Sequence, residues 1–211
     1  MITKKYDEAR DKGQSWADWK MLRKNRHKYS NCNGLDLGVD LNRNYSYKFA
    51  YDDIGSSDIA CQEDYRGPKP FSEPETKAIK KLVESLEPKI VSAMNFHCYG
   101  NLWIHPFNYI QDKSNKPLKS LEPFSEIYEY LHKHLTFPKK GVVGNAKSLI
   151  DYVANGEASD WMLGEKGIIA WSPELGNSNK RTDDFYISPK VHEGAIRSDF
   201  KTIEGFINKH I

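Results

Sequence analysis

Within Gly38-Val39-Asp40-Leu41-Asn42-Arg43-Asn44 a neutral amide, Asn42, stands beside a fixed positive fork, Arg43. Together the two suit a carboxylate, because the guanidinium presents paired donors to its oxygens and the amide adds another. Far downstream, Glu174 stands between Pro173 and Leu175 after an apolar run. A carboxyl there is either a paired edge residue or a group that exchanges a proton with a substrate. His97 also follows an apolar run and precedes Cys98-Tyr99-Gly100, where an imidazole is either structural or a metal ligand. Taken singly, Arg23 reads as a solvated cation and Tyr152 as a loop aromatic packed on the core.

These residues can act together only if the chain's elements converge on them. Leu37-Gly38-Val39 reads as a short strand leading into the Asn42-Arg43 pair. Residues 45–70, rich in Gly, Ser, Asp, Pro and aromatics, predict a long ordered loop, and loops of that length usually carry function. Ser72-Glu73-Pro74-Glu75 has the pattern of a capping box with a proline in the first turn. Ala78, Ile79, Leu82, Val83 and Leu86 then recur at helical spacing until Pro88 ends the run. Residues 90–96 form an apolar strand that delivers His97 at its carboxyl end. Phe124, Ile127, Tyr128, Leu131 and Leu135 mark a second amphipathic helix. Ile168-Ile169-Ala170-Trp171 is a further apolar strand, with Glu174 just past its end. Ile196, Phe200, Ile203 and Ile207 mark a last helix beginning near Ser188-Pro189. Strands apolar on both faces, alternating with helices, predict an α/β sheet covered on both sides. Active sites in such sheets form at the carboxyl ends of the strands.

Composition narrows the function classes. The 211 residues suffice for one domain with a sizeable core and are few for two. Lys+Arg 31 against Asp+Glu 29 leaves a net charge of +2, with the signs interspersed, so neither a nucleic acid nor another polyanion is the expected partner. No apolar stretch approaches the roughly 20 residues that cross a bilayer as a helix. The polar, mixed-charge start is not a signal peptide. Cys32, Cys61 and Cys98 lack metal-cluster spacing, and on the residues alone one disulfide with a leftover thiol and three free thiols are equally open.

Seven segments, taken in order, resemble the zinc metallocarboxypeptidases of the carboxypeptidase A/B type. They are Arg23-Lys24-Asn25-Arg26, the Gly38 to Asn44 run, Tyr65-Arg66-Gly67-Pro68, Phe71-Ser72-Glu73-Pro74-Glu75-Thr76, Asn95-Phe96-His97-Cys98-Tyr99, Tyr152 with Ser159-Asp160-Trp161, and Pro173-Glu174-Leu175. Asp160 lies eight residues after Tyr152, and Glu174 fourteen after Asp160. The resemblance implies a three-layer α/β/α sandwich with a mixed, mostly parallel central sheet, whose N-terminal strands lie outside this sequence. Residues 1–211 would then be a single unit, the C-terminal two-thirds of a catalytic domain.

The resemblance also implies roles: His97 as a zinc ligand, Glu174 as general base and acid, and Arg23 as the cation facing the scissile carbonyl. Asn42 and Arg43 would grip the free carboxylate of a peptide or protein C-terminus, and Tyr152 would close over it. Ser159 takes the position that sets side-chain preference, with Asn108 facing it. Both are neutral, which slightly favours small, polar or apolar substrate side chains over strongly basic ones. The resemblance further implies a Cys32–Cys61 disulfide and a secreted or lysosomal location.

One piece is absent. The family's zinc motif is a His-x-x-Glu pair followed by a later His, and none of the seven histidines here has a Glu three residues on. A catalytic zinc needs about three protein ligands and a water, so this chain alone is expected neither to hold zinc firmly nor to catalyse. Two accounts follow: part of an ordinary enzyme whose zinc motif lies upstream of Met1, or an inactive carboxypeptidase-like structural or C-terminus-binding subunit of a larger assembly. In either, a missing N-terminal segment or a partner subunit would have to cover an exposed sheet edge.

Overall fold

The apolar segments at 92–104 and 169–175 pair with one another and so build the sheet. A computed structural model of the chain describes residues 23–29, 32, 36–86, 88–114, 116–135, 143–175 and 189–210. Its strands are β1 (Ser92–Met94), β2 (His97–Cys98), β3 (Leu102–Ile104), β4 (Val143–Gly144) and β5 (Ile169–Leu175). Its helices are α1 (Pro74–Leu86), α2 (Lys116–Lys119), α3 (Phe124–His134), α4 (Ala146–Ile150), α5 (Ala158–Lys166) and α6 (Pro189–His210). The order is β1-β5-β3-β4, with β2 also paired to β5. The β1–β5, β2–β5 and β3–β4 pairs are parallel and β3–β5 is antiparallel. The fold is therefore α/β with a mixed, mostly parallel sheet, as expected.

Alternation along β5 puts Ile169 and Trp171 into one apolar cluster with Trp103, Phe107, Tyr128, Leu131 and Phe206. Leu131, 1% exposed, contributes on the order of 1.5–3 kcal/mol through burial. Tyr128 on α3 also pins β5 by its backbone. Its hydroxyl donates to the Ala170 carbonyl at 2.7 Å and accepts from the Ala170 N–H at 2.9 Å. A second cluster gathers Tyr45, Phe71, Val83 and Ile168 around the fully buried Trp161 of α5.

Several local expectations change. Leu37, Gly38 and Val39 are not a strand. Gly38 has φ +102°, and the Val39 N–H is taken by the Asn25 side chain at 2.9 Å, so no ladder can propagate. The strand expected at 90–96 shortens to β1, and His97 begins a separate strand, β2, instead of following the first. Glu174 lies inside β5 rather than beyond it, because the pairing with β2 and β3 extends the strand to Leu175. The capping box does not form, since Ser72 Oγ donates to Glu73 at 2.6 Å and accepts from Asn44 at 2.9 Å. α1 buries Thr76 and Val83 but leaves Ile79, Leu82 and Leu86 exposed. On α6 the buried positions include Asp199, Thr202 and Phe206, whereas Phe200 and Ile207 face solvent. Cys32 and Cys61 do form a disulfide, and Cys98 is free and exposed.

Candidate active site

Asp40 organises the Asn42-Arg43 turn. Its Oδ1 accepts from the Asn42 N–H at 3.0 Å, capping the single 3-10 turn Leu41–Arg43, and its Oδ2 accepts from Arg23 Nε at 2.7 Å. Arg43 Nη1 lies 3.9 Å from that same oxygen. One buried carboxylate thus anchors two guanidinium groups. Burial works against the Arg23 charge, but Asp40 outweighs it and holds the group above its ordinary range.

Arg43 is 1% exposed, yet its donors are only partly used. Nη1 donates to the Asn42 carbonyl at 2.8 Å and Nη2 donates to the Tyr152 hydroxyl. Its Nε–H is buried without a partner. The backbone behind it is fixed. A Cβ on Gly156, which has φ +67°, would stand 2.4 Å from the Arg43 carbonyl oxygen, so only glycine allows this approach. Asn44 ties the turn to its surroundings: its Nδ2 donates to the Arg66 and Lys69 carbonyls and to Ser72, and its Oδ1 accepts from Glu73 and Thr76.

Sheet register brings together what the sequence separates. His97 on β2 is the direct partner of Glu174 on β5. Burial pushes the Glu174 carboxyl up to about 7, with Arg23 opposing the rise and Glu157 adding to it. A carboxyl poised there can take up or release a proton near neutrality. Burial also holds His97 below the ordinary imidazole range; Glu157 opposes this, and Arg23 and Arg43 reinforce it.

Arg23, Asn42, Arg43, His97, Tyr152 and Glu174 all line one cavity of about 310 Å3. Ser159 does not. It is fully buried behind the wall, and its Oγ donates to Glu157 at 3.0 Å. Asn108 does line the cavity and is held on all sides: its N–H donates to Asp160, its Nδ2 donates to Glu157 at 2.6 Å, and its Oδ1 accepts from Ala146. Sequence reasoning passed over Asp40, Ser172 and Glu157. The one available signal for Glu157 was an acidic side chain set among the small residues Gly156, Ala158 and Ser159.

No set of three or more His, Cys, Asp or Glu side chains able to hold a metal occurs among the described residues. The neighbours of His97 Nε2 are the amide nitrogens of Asn95 at 3.0 Å and Asn42 at 3.5 Å. Amide N–H groups are donors, not ligands. The described residues by themselves therefore do not fit a three-ligand zinc site.

One α/β fold thus brings a buried arginine and a carboxyl poised near neutrality into a single cavity. Comparison with known proteins gives the family. The family model for zinc carboxypeptidases matches residues 12–200, and the chain belongs to that family. It is 31% identical over 206 residues to mast cell carboxypeptidase A of Rattus norvegicus, covering 93% of this chain and 46% of the relative. It is 28% identical over 169 residues to carboxypeptidase B of Astacus astacus, covering 76% of this chain and 52% of the relative. The chain thus spans about half the length of these two relatives. Bovine thrombin-activatable fibrinolysis inhibitor, solved in complex with tick carboxypeptidase inhibitor, shares the fold. Its TM-score is 0.67 at 21% identity, over 98% of this chain and 66% of the solved one.

Proposed function

We propose that this chain serves hydrolysis of the C-terminal peptide bond of peptides or proteins, supplying the grip on the substrate and the proton carrier. The observation that carries this reading is the buried, unpartnered Arg43 Nε–H, set in a cavity that Asn42 and Tyr152 also line. A free C-terminal carboxylate would take that donor and displace the Tyr152 hydroxyl from Nη2. It would satisfy a buried group that otherwise costs about 1–3 kcal/mol. Beyond the carboxylate, Arg23 faces the negative charge that develops on the scissile carbonyl. Glu174 accepts a proton from the attacking water and returns it to the leaving amine. Zinc, which the family implies, would need ligands besides His97. Residues 1–211 form one unit of a carboxypeptidase catalytic domain, and the disulfide suits an oxidising compartment such as the secretory route or the lysosome.

A second reading is favoured by one contrast. The residues read as the carboxylate grip line one cavity, whereas the described residues hold no metal set. On that reading the chain is a carboxypeptidase-like subunit that captures C-termini without cutting them.

Calorimetric titration with matched peptides tests the part common to both. Peptides with free C-termini should bind about a hundredfold more tightly than their C-terminal amides. Equal binding of the two would sink both readings. Mass spectrometry of the same peptides, with zinc added, separates them: release of the last residue marks the hydrolase, and intact peptide marks capture.

A further inference from the structure

Of the three cysteines in the chain, Cys32 and Cys61 are bonded to each other, and Cys98 is a free, exposed thiol. The bonded pair suits an oxidising compartment, and there an accessible thiol is itself open to disulfide formation. No sulfur of a cysteine within these 211 residues is left to pair with it, so its partner would come from outside them.

The place of Cys98 says what kind of partner fits. The thiol lines the same cavity as Arg43. Its neighbour His97 has Nε2 only 3.5 Å from the Asn42 side chain, and Arg43 Nη1 donates to the Asn42 carbonyl at 2.8 Å. Thiol and guanidinium are thus linked through two intervening residues along one wall. Arg43 adds an Nε–H that is buried without a partner, which is an independent call for an acceptor. The cavity therefore offers an anchor for a carboxylate and a sulfur for a covalent bond. A ligand that uses both carries a carboxylate and a sulfur a short distance apart. A peptide with a free C-terminus and cysteine as its next-to-last residue meets this, since two extended residues span roughly 7 Å.

We propose that Cys98 is a thiol-exchange site, at which a small peptide anchored by its C-terminal carboxylate on Arg43 forms a mixed disulfide and closes the cavity. The inference rests on Arg43 holding that carboxylate. The reacting partner is the peptide in its disulfide form, the class to which oxidised glutathione belongs, with its cysteine just before a terminal glycine. The Cys98 thiolate attacks the nearer sulfur of that disulfide. The peptide S–S bond breaks as the bond to Cys98 forms, and the other half leaves as a thiolate that takes up the proton Cys98 gave up. An excess of the reduced peptide reverses the exchange. Partial desolvation, and then the Glu174 carboxyl, hold the Cys98 thiol above its ordinary range. Exchange with an unanchored disulfide is slow for that reason, whereas an anchored one gains from its effective concentration.

The test incubates the full chain with oxidised glutathione or with the disulfide of glutathione amide, whose glycine ends are uncharged. Intact-mass spectrometry follows the adduct and peptide mapping locates it. The free acid should label Cys98 at least about tenfold faster than the amide, and excess acetyl-triglycine free acid, which has no sulfur, should slow the labelling. The labelled chain should lose its calorimetric preference for free-acid over amidated peptides and regain it in reduced glutathione. Cys98→Ser should take no adduct and keep that preference in oxidised glutathione. No adduct, or equal rates for acid and amide, with the preference of the unlabelled chain intact, overturns the thiol site and leaves the grip standing. A labelled chain that still prefers free-acid peptides overturns the closure of the cavity. Absence of the preference in the unlabelled chain overturns the grip and this inference with it. The rate comparison and the mapping use the unaltered chain, so they decide the matter even if the substitution unfolds the protein.

Discussion

Two regions of the molecule, the turn around Arg43 and the strand β1, are held in different ways. Around Arg43 the structure is closed: Asp40, Asn44 and Glu73 are buried, and each is bonded to several partners from distant parts of the chain. Around β1 it is open. Among the described residues β1 pairs with β5 alone, and nearby Val91 and Phe96 are 56% and 52% exposed. The apolar stripe of α1 at Ile79, Leu82 and Leu86 is likewise exposed. The Arg43 turn is therefore rigid by its own hydrogen bonds, while the strand that leads to His97 has a flank that no described residue pairs with. Substitutions should cost much on the first side and little on the second.

The largest effect is expected at the grip itself. Arg43→Lys keeps the charge but loses the planar fork, so it should weaken binding of free-acid peptides about a hundredfold and leave amides unaffected, read by calorimetry. A loss equal for both forms would show that Arg43 braces the fold and does not contact the ligand. Behind it, Gly156→Ala meets the Arg43 carbonyl and forces a left-handed residue. It should lower stability by about 1–3 kcal/mol in chemical denaturation, and an unchanged midpoint would mean that this backbone yields easily.

A pH test reaches the next layer. Burial alone would raise Glu73, but hydrogen bonds from Ser72, Tyr29, Asn25 and His27 hold it below its ordinary value of 4.5. The unfolded chain takes up this proton at higher pH than the folded one. The stabilisation is thus complete above about 4.5 and is lost as pH falls through the lower folded value. Thermal melts from pH 7 to pH 3 should show that loss in the unaltered chain and a flatter profile in Glu73→Gln. On the open side, Phe96→Ser should change stability by no more than about 0.5 kcal/mol, the smallest effect in the series. A cost of several kcal/mol there would mean that this flank is covered in solution, and the contrast between the two sides would fail.

Much of the site was readable as a set of residue types, because carboxylate binding and proton transfer demand particular functional groups. Arg43, Asn42, His97 and Glu174 could be named that way, while Arg23 and Tyr152 were picked out only by the family resemblance; all six line one cavity. The helix at Phe124–His134 was legible for a similar reason: periodic burial leaves a periodic pattern, and Tyr128 and Leu131 are buried as that pattern requires. α1 has the same pattern and does not follow it, since periodicity shows that a face is apolar but not what covers it.

The sequence by itself determined the family, the mostly parallel α/β fold and the identity of the groups proposed to meet a carboxylate, because these depend on residue type and order. Only the tertiary structure decided which side chain faces the cavity where Ser159 had been expected. Ser159 and Glu157 are two residues apart, and the hydrogen bonds from Asn108 and Ser172, on other segments, hold the Glu157 carboxylate at the cavity wall. No local spacing encodes that choice, because the partners that settle it are brought together only by the sheet and the loops packed on it.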